Sequence, residues 1–526
     1  MKWLAFAGFC VFAWRRLQTY LHIYQQEEYQ PIRFLRWLVT TQSFDKRASL
    51  SILLVAAIEW LSSAFRPYAA AAVGSELILF TFLEKNPRKS SKKPLVMTGR
   101  AKRIFYVAGT VCAILAFLTA WFNAPAIVWL VLVQLVPVTL PFANLLLTPY
   151  ERSVQNRFWN EAHQKLLALK PTVVGITGSF GKTSTKHILG HVLELQAPTL
   201  ITPGSVNTPM GISRVIREHL GSHHRFFVCE MGAYGPGSIA RLCRLAPPDL
   251  AVITAIGMAH YERFKTLDTV AQTKFELAES VVARGGRIIA AEQVLEFEYA
   301  KRFRDRHRSQ TIVCGASANC DVRISNAGQN AAGIFAELDW NGAVYHLRAP
   351  LFGEHHISNL VLAFIAACSL GVSPEDAVLA LASTPQIKHR LEIKSGPAGA
   401  RLIDDAYNSN PVGFTSGLRL LSKLQTNGGR RILVTPGMVE LGTAHEQEHE
   451  KIGVLAGQHV DVLVPVLPDR IRSLTEAYLR TRPEGVVVPV ENFGKAEAWM
   501  SSNLKSADVV LLENDLPDLY EMKLRL

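Results

Sequence analysis

Three adjoining stretches decide how this chain is to be read: Thr172-Val-Val-Gly-Ile-Thr177, then Gly178-Ser-Phe-Gly181-Lys182-Thr183-Ser184, then Lys186–Leu195. The first is a β-branched run suited to a buried parallel strand. The second is a glycine loop closed by Lys-Thr-Ser, and the third carries a helical pattern. Strand, glycine loop and helix in that order build a phosphate cradle. The glycines let backbone N–H groups face phosphate oxygens, and the helix N-terminus adds its positive dipole. Gly178, Ser179, Gly181, Lys182, Thr183 and Ser184 are therefore candidate nucleotide-binding residues. Lys182 would reach the β- and γ-phosphates, and the Thr183 hydroxyl would ligate magnesium. The spacing is not the usual G-x-x-x-x-G-K-[ST], because Ile176 stands where the first glycine of that form would be.

Outward from the loop, the strand-like runs Phe226–Glu230, Leu250–Thr254 and Arg287–Ala291 alternate with helical stretches. A second series comes after Arg390, with Arg401–Ile403, Arg431–Thr435, Val460–Val464, Gly485–Pro489 and Val509–Leu512. This alternation predicts an α/β chain with largely parallel sheets. We expect a central ATP-binding domain over 151–388 and a Rossmann-like C-terminal domain over 389–526. The nucleotide would be closed between them during catalysis.

The beginning of the chain is different. With 526 residues, two or three domains are expected, and the apolar excess sits in the first 150. Apolar stretches run at about Trp3–Trp14, Leu50–Phe65, Tyr68–Leu83, Ile104–Phe122 and Ala126–Leu147. A spanning helix needs about 20 mostly apolar residues, which the last two supply. Basic residues from Arg15 to Arg47, the group Lys85, Arg88, Lys89, Lys92, Lys93, Arg100, Lys102 and Arg103, and the chain after Arg152 share one side if there are about five spans. Residues 1–150 are thus expected to be a transmembrane region with lipid as partner and with the catalytic bulk on the cytoplasmic side. Glu59 and Glu76 interrupt apolar segments and read as carboxylates at a helix end or against a neighbouring helix, rather than as a headgroup site. The net charge of +12 carries no basic stripe with interleaved aromatics, so nucleic acid is not an expected partner. Seven scattered cysteines form no C-x-x-C pair, which argues against a disulfide framework or a zinc site.

The short loop Thr177–Ser184 resembles that of the Mur ligases, and its continuation is most similar to the MurF branch, which joins D-alanyl-D-alanine to UDP-N-acetylmuramoyl-tripeptide. The matching stretches come in order. They are Gly204-Ser-Val-Asn207-Thr-Pro-Met-Gly211, Val228-Cys-Glu230-Met-Gly232 with Gly235-Pro-Gly237, Ile253 to His260, and Lys274-Phe-Glu276. Gly353-Glu-His355-His356-Ile-Ser-Asn359, His389-Arg390-Leu391, Asp404-Asp405-Ala-Tyr407-Asn408-Ser-Asn410-Pro411 and Met438-Val-Glu440-Leu-Gly442 with His449 complete the series.

The resemblance implies an ATP-dependent ligase that makes an acyl phosphate and passes the acyl group to an amine. It implies ATP and two magnesium ions as cofactors, one held by Thr183 and Glu230 and the other by His260 and a carbamylated Lys274. Lys182, Lys274, His260 and Arg390 would be the catalytic set, Asn359 and Asp405 would hold adenine and ribose, and Arg390 would reach the phosphates. Asn207, Asn408 and Asn410 would lie on the substrate side. The partners implied are a peptide-bearing cell-wall precursor and an amino-acid or dipeptide amine, and the setting is a bacterial inner membrane. His187, His223, His224 and His445 read as structural. Several departures bear on the acceptor. The family's N-terminal UDP-binding domain has no counterpart before Arg152, His356 and Ser205 stand where asparagines are expected, and Pro436-Gly437 replaces a Gly-Asp pair. A ligase for another envelope polymer, or a membrane scaffold that binds nucleotide without turnover, are the rival readings.

Overall fold

A computed structural model describes residues 1–84, 94–257, 266–330, 332–407, 409–425, 428–439 and 441–514. Lys85, Arg88, Lys89, Lys92, Lys93, His260, Asn408 and Glu440 lie outside the described residues. The chain forms two compact units that divide between Asn156 and Arg157.

The first unit is helical: α1 (Lys2–Gln26), α2 (Pro31–Thr40), α3 (Lys46–Leu61), α4 (Arg66–Leu83), α5 (Gly99–Trp121) and α6, which starts at Ala126 and continues to Leu169. Its core is aromatic, with Phe9, Phe12, Tyr20, Tyr24, Phe34 and Trp129 all buried. Helix α1 continues well past the apolar stretch Trp3–Trp14. The Arg16 side chain is buried and paired with Asp45 and Glu84, so α1 runs on to Gln26 with its charge neutralised inside the bundle. Asp45 also caps α3 by accepting from the Ala48 N–H at 3.2 Å.

Of the expected spans, α5 and α6 are long and apolar enough to cross a membrane by length and composition. The 16-residue α3 reaches only about 24 Å, short of a hydrocarbon core of about 30 Å. Glu59 accepts from the Ala126 N–H at 2.7 Å, which places it at the start of α6, the helix-end role expected of it. Glu76 keeps one buried carboxylate oxygen without a hydrogen bond among the described residues. Large apolar side chains stand outward on this unit, among them Leu50, Leu54, Trp60, Leu61, Phe82 and Phe122.

The second unit holds two sheets. The first has nine strands in the order β2-β3-β1-β4-β5-β6-β7-β8-β9. These are β1 (Thr172–Thr177), β2 (Thr199–Ile201), β3 (Phe226–Glu230), β4 (Leu250–Ile253), β5 (Arg287–Ala291), β6 (Thr311–Gly315), β7 (Val322–Asn330), β8 (Gly333–Trp340) and β9 (Ala343–Ala349). Every pairing from β2 to β7 is parallel. The final pairings, β7 with β8 and β8 with β9, are antiparallel and depart from the expected parallel pattern. Their physical basis is one-sided burial: Ile334, Ala336, Leu338 and Leu347 turn to the core, while the other face is wet.

Helices cover both faces. On one side lie α7 (Lys182–Glu194) and, further along the chain, the apolar helix His356–Ser369. On the other lie α8 (Pro209–His219), α9 (Ser238–Leu245), α10 (Leu267–Val282) and α11 (Glu298–Arg306). The His356–Ser369 helix is α12, followed by α13 (Pro374–Ala382).

The second sheet has six strands in the order β10-β11-β15-β12-β13-β14. They are β10 (Glu392–Ser395), β11 (Arg401–Asp405), β12 (Arg431–Thr435), β13 (Val462–Pro465), β14 (Val486–Val487) and β15 (Val509–Glu513). All pairings are parallel except β10 with β11. The intervening helices are α14 (Pro411–Lys423), α15 (His445–His459), α16 (Arg472–Thr481) and α17 (Phe493–Asn503). The last strand inserts between β11 and β12, which makes a topological switch point at their carboxyl ends. The result is mixed α/β in both halves of this unit.

Candidate active site

The loop after β1 is set by its neighbours. Parallel register pairs Ile176 with Glu230 on β3 and Thr177 with Ile253 on β4. That register brings the carboxyl end of β3 beside the start of α7. Helix α7 begins at Lys182, four residues before the helical stretch read from sequence, because Gly181 takes φ +82° and serves as its N-cap. No side chain caps this helix, so its first N–H groups remain available for a ligand.

The loop lies hard against its supports. A Cβ on Gly178 would come within 1.9 Å of Thr254 Oγ1, and one on Gly181 within 2.3 Å of Asn359 Oδ1. Ser179 Oγ donates to Gly257 O at 3.0 Å and accepts from Gly257 N–H at 2.9 Å, which pins the loop to the segment after β4. Lys182 Nζ curls back on its own loop, donating to Gly178 O at 2.7 Å and Ser179 O at 3.3 Å.

Thr183 Oγ1 donates to Glu230 Oε2 at 2.9 Å. The same oxygen lies 3.2 Å from Lys186 Nζ, and Glu230 Oε1 accepts from Asn207 Nδ2 at 3.1 Å. Burial raises the Glu230 carboxyl, but Lys186, Lys182 and the Thr183 and Asn207 donors outweigh it and hold the group below the usual carboxylate range. Burial lowers the ammonium of Lys182, and Arg390 and Lys186 lower it further, against the pull of Glu230. Lys274, buried on α10, is held well below the usual lysine range by burial and then by Lys182. Lys182 and Lys186 thus share one carboxylate, Glu230, and Arg390 adds positive charge that both lysines feel.

An uncapped helix start, a glycine loop and surplus positive charge fit a polyphosphate. The Thr183 hydroxyl and the Glu230 carboxylate are hard oxygen donors that fit magnesium.

Asn359 sits behind the loop. Its Oδ1 accepts from Thr185 Oγ1 at 3.2 Å, and its Nδ2 lies 3.1 Å from His356 Nδ1. The His355 and His356 rings lie against each other, centroids 4.0 Å apart and tilted by 47°. Burial pushes His355 down to about 4 and His356 well below its usual range. His355 Nδ1 and His356 Nε2 are buried without hydrogen bonds among the described residues.

The Arg390 guanidinium lies 4.5 Å from the centre of the Tyr407 ring, and the Tyr407 hydroxyl bonds Ser205 Oγ on the loop before α8. The two halves of this unit therefore meet at the side chains flanking the phosphate loop. Asp405 accepts from the Leu391 N–H at 3.3 Å. Burial pushes its carboxyl up to about 6, against the pull of Arg390. Glu513, registered beside Asp405 on β15, is raised well above its usual range by burial and by Asp405.

Lys182, Thr183, Glu230 and Asn207 are thus in direct or one-step contact, with Asn359 immediately behind and Arg390 within electrostatic reach. Asn410 has a local duty, since its Oδ1 accepts from the Gly413 N–H at 3.0 Å and caps α14. His449 is buried and accepts from the Met438 N–H at 2.9 Å, and His187 is held down to about 4 by burial. Three residues at the site carry no role read from sequence: Lys186, Tyr407 and Glu513. The signal for Lys186 is present, since a lysine one turn beyond Lys182 has to lie along the same helix as the phosphate-loop lysine.

Comparison with known proteins agrees with this geometry. The Mur ligase middle domain family matches residues 176–367, and the family described as Mur ligase, glutamate ligase domain matches residues 389–513. The UDP-N-acetylmuramoyl-tripeptide–D-alanyl-D-alanine ligase of Mycobacterium tuberculosis is 30% identical over 381 residues, covering 66% of this chain and 71% of its own length. The Bacillus subtilis ligase of the same name is 29% identical over 290 residues, covering 55% of this chain and 61% of its own length. Among solved structures, MurF from Acinetobacter baumannii superposes with a TM-score of 0.57 at 26% identity, covering 68% of this chain and 77% of that one. MurF from Thermotoga maritima in complex with ADP shares the fold, with a TM-score of 0.58 at 24% identity over 70% of this chain and 82% of that one. With two family domains in series and a phosphate loop facing a buried carboxylate and lysine, this chain belongs to the Mur ligases, ATP-dependent enzymes that join a carboxylic acid to an amine.

Proposed function

We propose that the protein adds D-alanyl-D-alanine, or a similar amine, to the peptide of a peptidoglycan precursor, and that it does so tethered to a membrane. The observation that carries this reading is the contact of Lys182 and Thr183 with one loop and one carboxylate, Glu230, on the strand next to β1, with Lys274 buried close by.

A carboxylate does not react with an amine directly, because oxide is a poor leaving group. Attack of a carboxylate oxygen on the γ-phosphorus of ATP breaks the bond from that phosphorus to the β–γ bridging oxygen, ADP leaves with the electron pair, and an acyl phosphate forms. The amine then attacks the carbonyl carbon, the C–O bond to phosphate breaks, phosphate leaves with the electron pair, and the amine loses a proton. The protein's part is positioning and charge neutralisation. Lys182 leaves the carbonyls of Gly178 and Ser179 for the β/γ-phosphates. Arg390, on the segment entering the second sheet, meets the transferring phosphate when the two halves close on the substrates. Asn359 faces the adenine with its remaining amide hydrogen and lone pair, and Asp405 faces the ribose. Asn207, Asn408 and Asn410 are assigned to substrate binding, and Asn410 also caps α14.

Thr183 and Glu230 would hold one magnesium, and Lys274 with His260 a second. The metals supply charge neutralisation on the phosphates and the acyl oxygen. The lowered proton affinity of Lys274 supports its carbamylation, since only the neutral amine adds to CO₂, and the product offers carboxylate-like oxygens. Domain limits near 150 and 388 suit this division of labour. Helices α5 and α6 and the outward apolar side chains of the first unit support a tether in a bacterial inner membrane, with the ligase on the cytoplasmic side where ATP is found.

A second reading keeps the chemistry and changes the acceptor. It is favoured by helices α1 to α6 of the first unit, which stand where the family's UDP-binding domain would be. Detergent-purified protein with ATP, magnesium, UDP-N-acetylmuramoyl-tripeptide and D-alanyl-D-alanine should release phosphate and form the pentapeptide, and Lys182→Ala should do neither. Phosphate release with a different acceptor alone supports the second reading. ATP binding without turnover on any amine overturns both.

A further inference from the structure

Lys186 is the one lysine in the described residues whose side chain is wholly buried against the carboxylate assigned to magnesium. It lies one turn beyond Lys182 on α7, and a buried ammonium is costly unless it is paired. Two acceptors pair it. One is Glu230 Oε2 at 3.2 Å, and the other is the carbonyl of Gly204. Gly204 begins the loop that continues through Ser205 to Asn207, the substrate-side segment, and this loop is held a second time, because Asn207 Nδ2 donates to Glu230 Oε1 at 3.1 Å. Asn207 is itself oriented by the Tyr234 hydroxyl, which donates to its Oδ1 at 2.9 Å. Glu230 and Lys186 therefore form a bridge with the phosphate loop at one end, through Thr183 at 2.9 Å, and the substrate loop at the other.

We propose that Lys186 is a positioning residue that occupies Glu230 in place of the metal and ties that carboxylate to loop 203–208, so that metal·nucleotide arrival and placement of the substrate loop are one event. A divalent ion at Glu230 and Thr183 competes with the ammonium for the same oxygen, because like charges at contact distance repel strongly in a buried site. Displaced from Glu230, the ammonium keeps its bond to Gly204 and can move only together with the loop. The loop that would receive the acceptor thus reports the state of the nucleotide site. Allosteric coupling of this kind requires an element with differential contacts in the two states, and the shared ammonium is that element.

The inference rests on the ligase reading above, and its test separates the two. Full-length protein in detergent is titrated with Mn²⁺ in the presence of ADP, with Mn²⁺ affinity followed by electron paramagnetic resonance and amide hydrogen exchange followed over residues 203–208. In the wild type, exchange of this segment changes when Mn·ADP binds. Lys186→Met removes both the competing charge and the tether. Mn²⁺ should bind about tenfold tighter, and the segment, now held only through Asn207, should exchange faster than in the wild type and respond less to Mn·ADP. Lys186→Gln removes the charge but keeps a donor for Gly204 O, so tighter Mn²⁺ binding should coincide with a protected segment. Lys186→Arg should restore wild-type behaviour on both counts. Unchanged Mn²⁺ affinity in the Gln variant overturns the proposal, and that variant decides the matter if Lys186→Met does not fold. So does a segment in Lys186→Met that still responds as in the wild type. Wild-type protein that fails to bind Mn·ADP at all overturns the ligase reading, and this proposal with it.

Discussion

Replacing Gly181 by alanine tests whether the phosphate loop is built as described. Gly181 holds φ +82° at the start of α7, and an L side chain in that left-handed region costs about 1–2 kcal/mol. The new Cβ would also sit 2.3 Å from Asn359 Oδ1 and 3.1 Å from its Cγ. To restore ordinary contact the Asn359 amide has to withdraw by about 1 Å. It is buried on α12 and anchored by Thr185 Oγ1 at 3.2 Å and His356 Nδ1 at 3.1 Å, and each of these bonds contributes about 1 kcal/mol. Strain and lost bonds together come to about 3–4 kcal/mol.

Gly204→Ala is the matched control. Gly204 has φ +51° and no atom within 4 Å of its ideal Cβ, so only the backbone strain of about 1–2 kcal/mol applies. Urea unfolding of the detergent-solubilised protein, followed by tryptophan fluorescence, measures both. Calorimetric titration with ADP should show binding lost or strongly weakened in Gly181→Ala. Equal destabilisation by the two variants, or a loss below about 1 kcal/mol for Gly181→Ala with ADP binding intact, would refute the close approach of loop and amide.

The second sheet supplies two further expected outcomes. Asp405 and Glu513 are buried neighbours in parallel register, with Asp405 pushed up to about 6 and Glu513 well above its usual range. A carboxyl whose folded-state pKa exceeds its unfolded value keeps its proton longer in the folded chain, so its stability is full below about pH 4 and is lost as pH rises through about 6. Glu513→Gln should therefore stabilise the protein at pH 8 by about 1–3 kcal/mol and flatten the fall in stability between about pH 4 and 7, as measured by urea unfolding; a destabilised variant at pH 8 would show that Glu513 is not a burden there. Asn410→Ala should cost about 1 kcal/mol by uncapping α14, with Asn410→Ser retaining most of it in the same denaturation series, since serine caps as well.

The phosphate loop was legible without coordinates because its chemistry is local. A β-branched strand, two glycines and a Lys-Thr pair impose their backbone geometry over a dozen residues, and the structure places β1, the loop and α7 there. The central parallel strands β1, β3, β4 and β5 and the parallel strands of the second sheet were legible for a related reason, since strands covered on both faces read as continuous apolar runs, whereas β2 and β6 were not read from sequence. The antiparallel strands β8 and β9 were not, because alternating half-exposed residues such as those of Ala343–Ala349 carry a weaker signal. The continuation of α1 through Arg15 and Arg16 was also hidden. Its stability depends on Asp45 and Glu84, which are distant in sequence and neutralise a charge that by itself argues for a helix end.

The sequence by itself determined the kind of chemistry, since the residue types that bind polyphosphate and magnesium are few and the loop that presents them is contiguous. Only the tertiary structure decided how those residues are connected. It set Glu230 beside Thr183 through the register of β1 with β3, laid Asn359 against Gly181 from a helix far along the chain, and gave Lys186 two acceptors that share no sequence neighbourhood. The physical reason is that a buried charge takes its behaviour from whatever surrounds it. Those surroundings are assembled by packing between elements, which no local pattern of residues records.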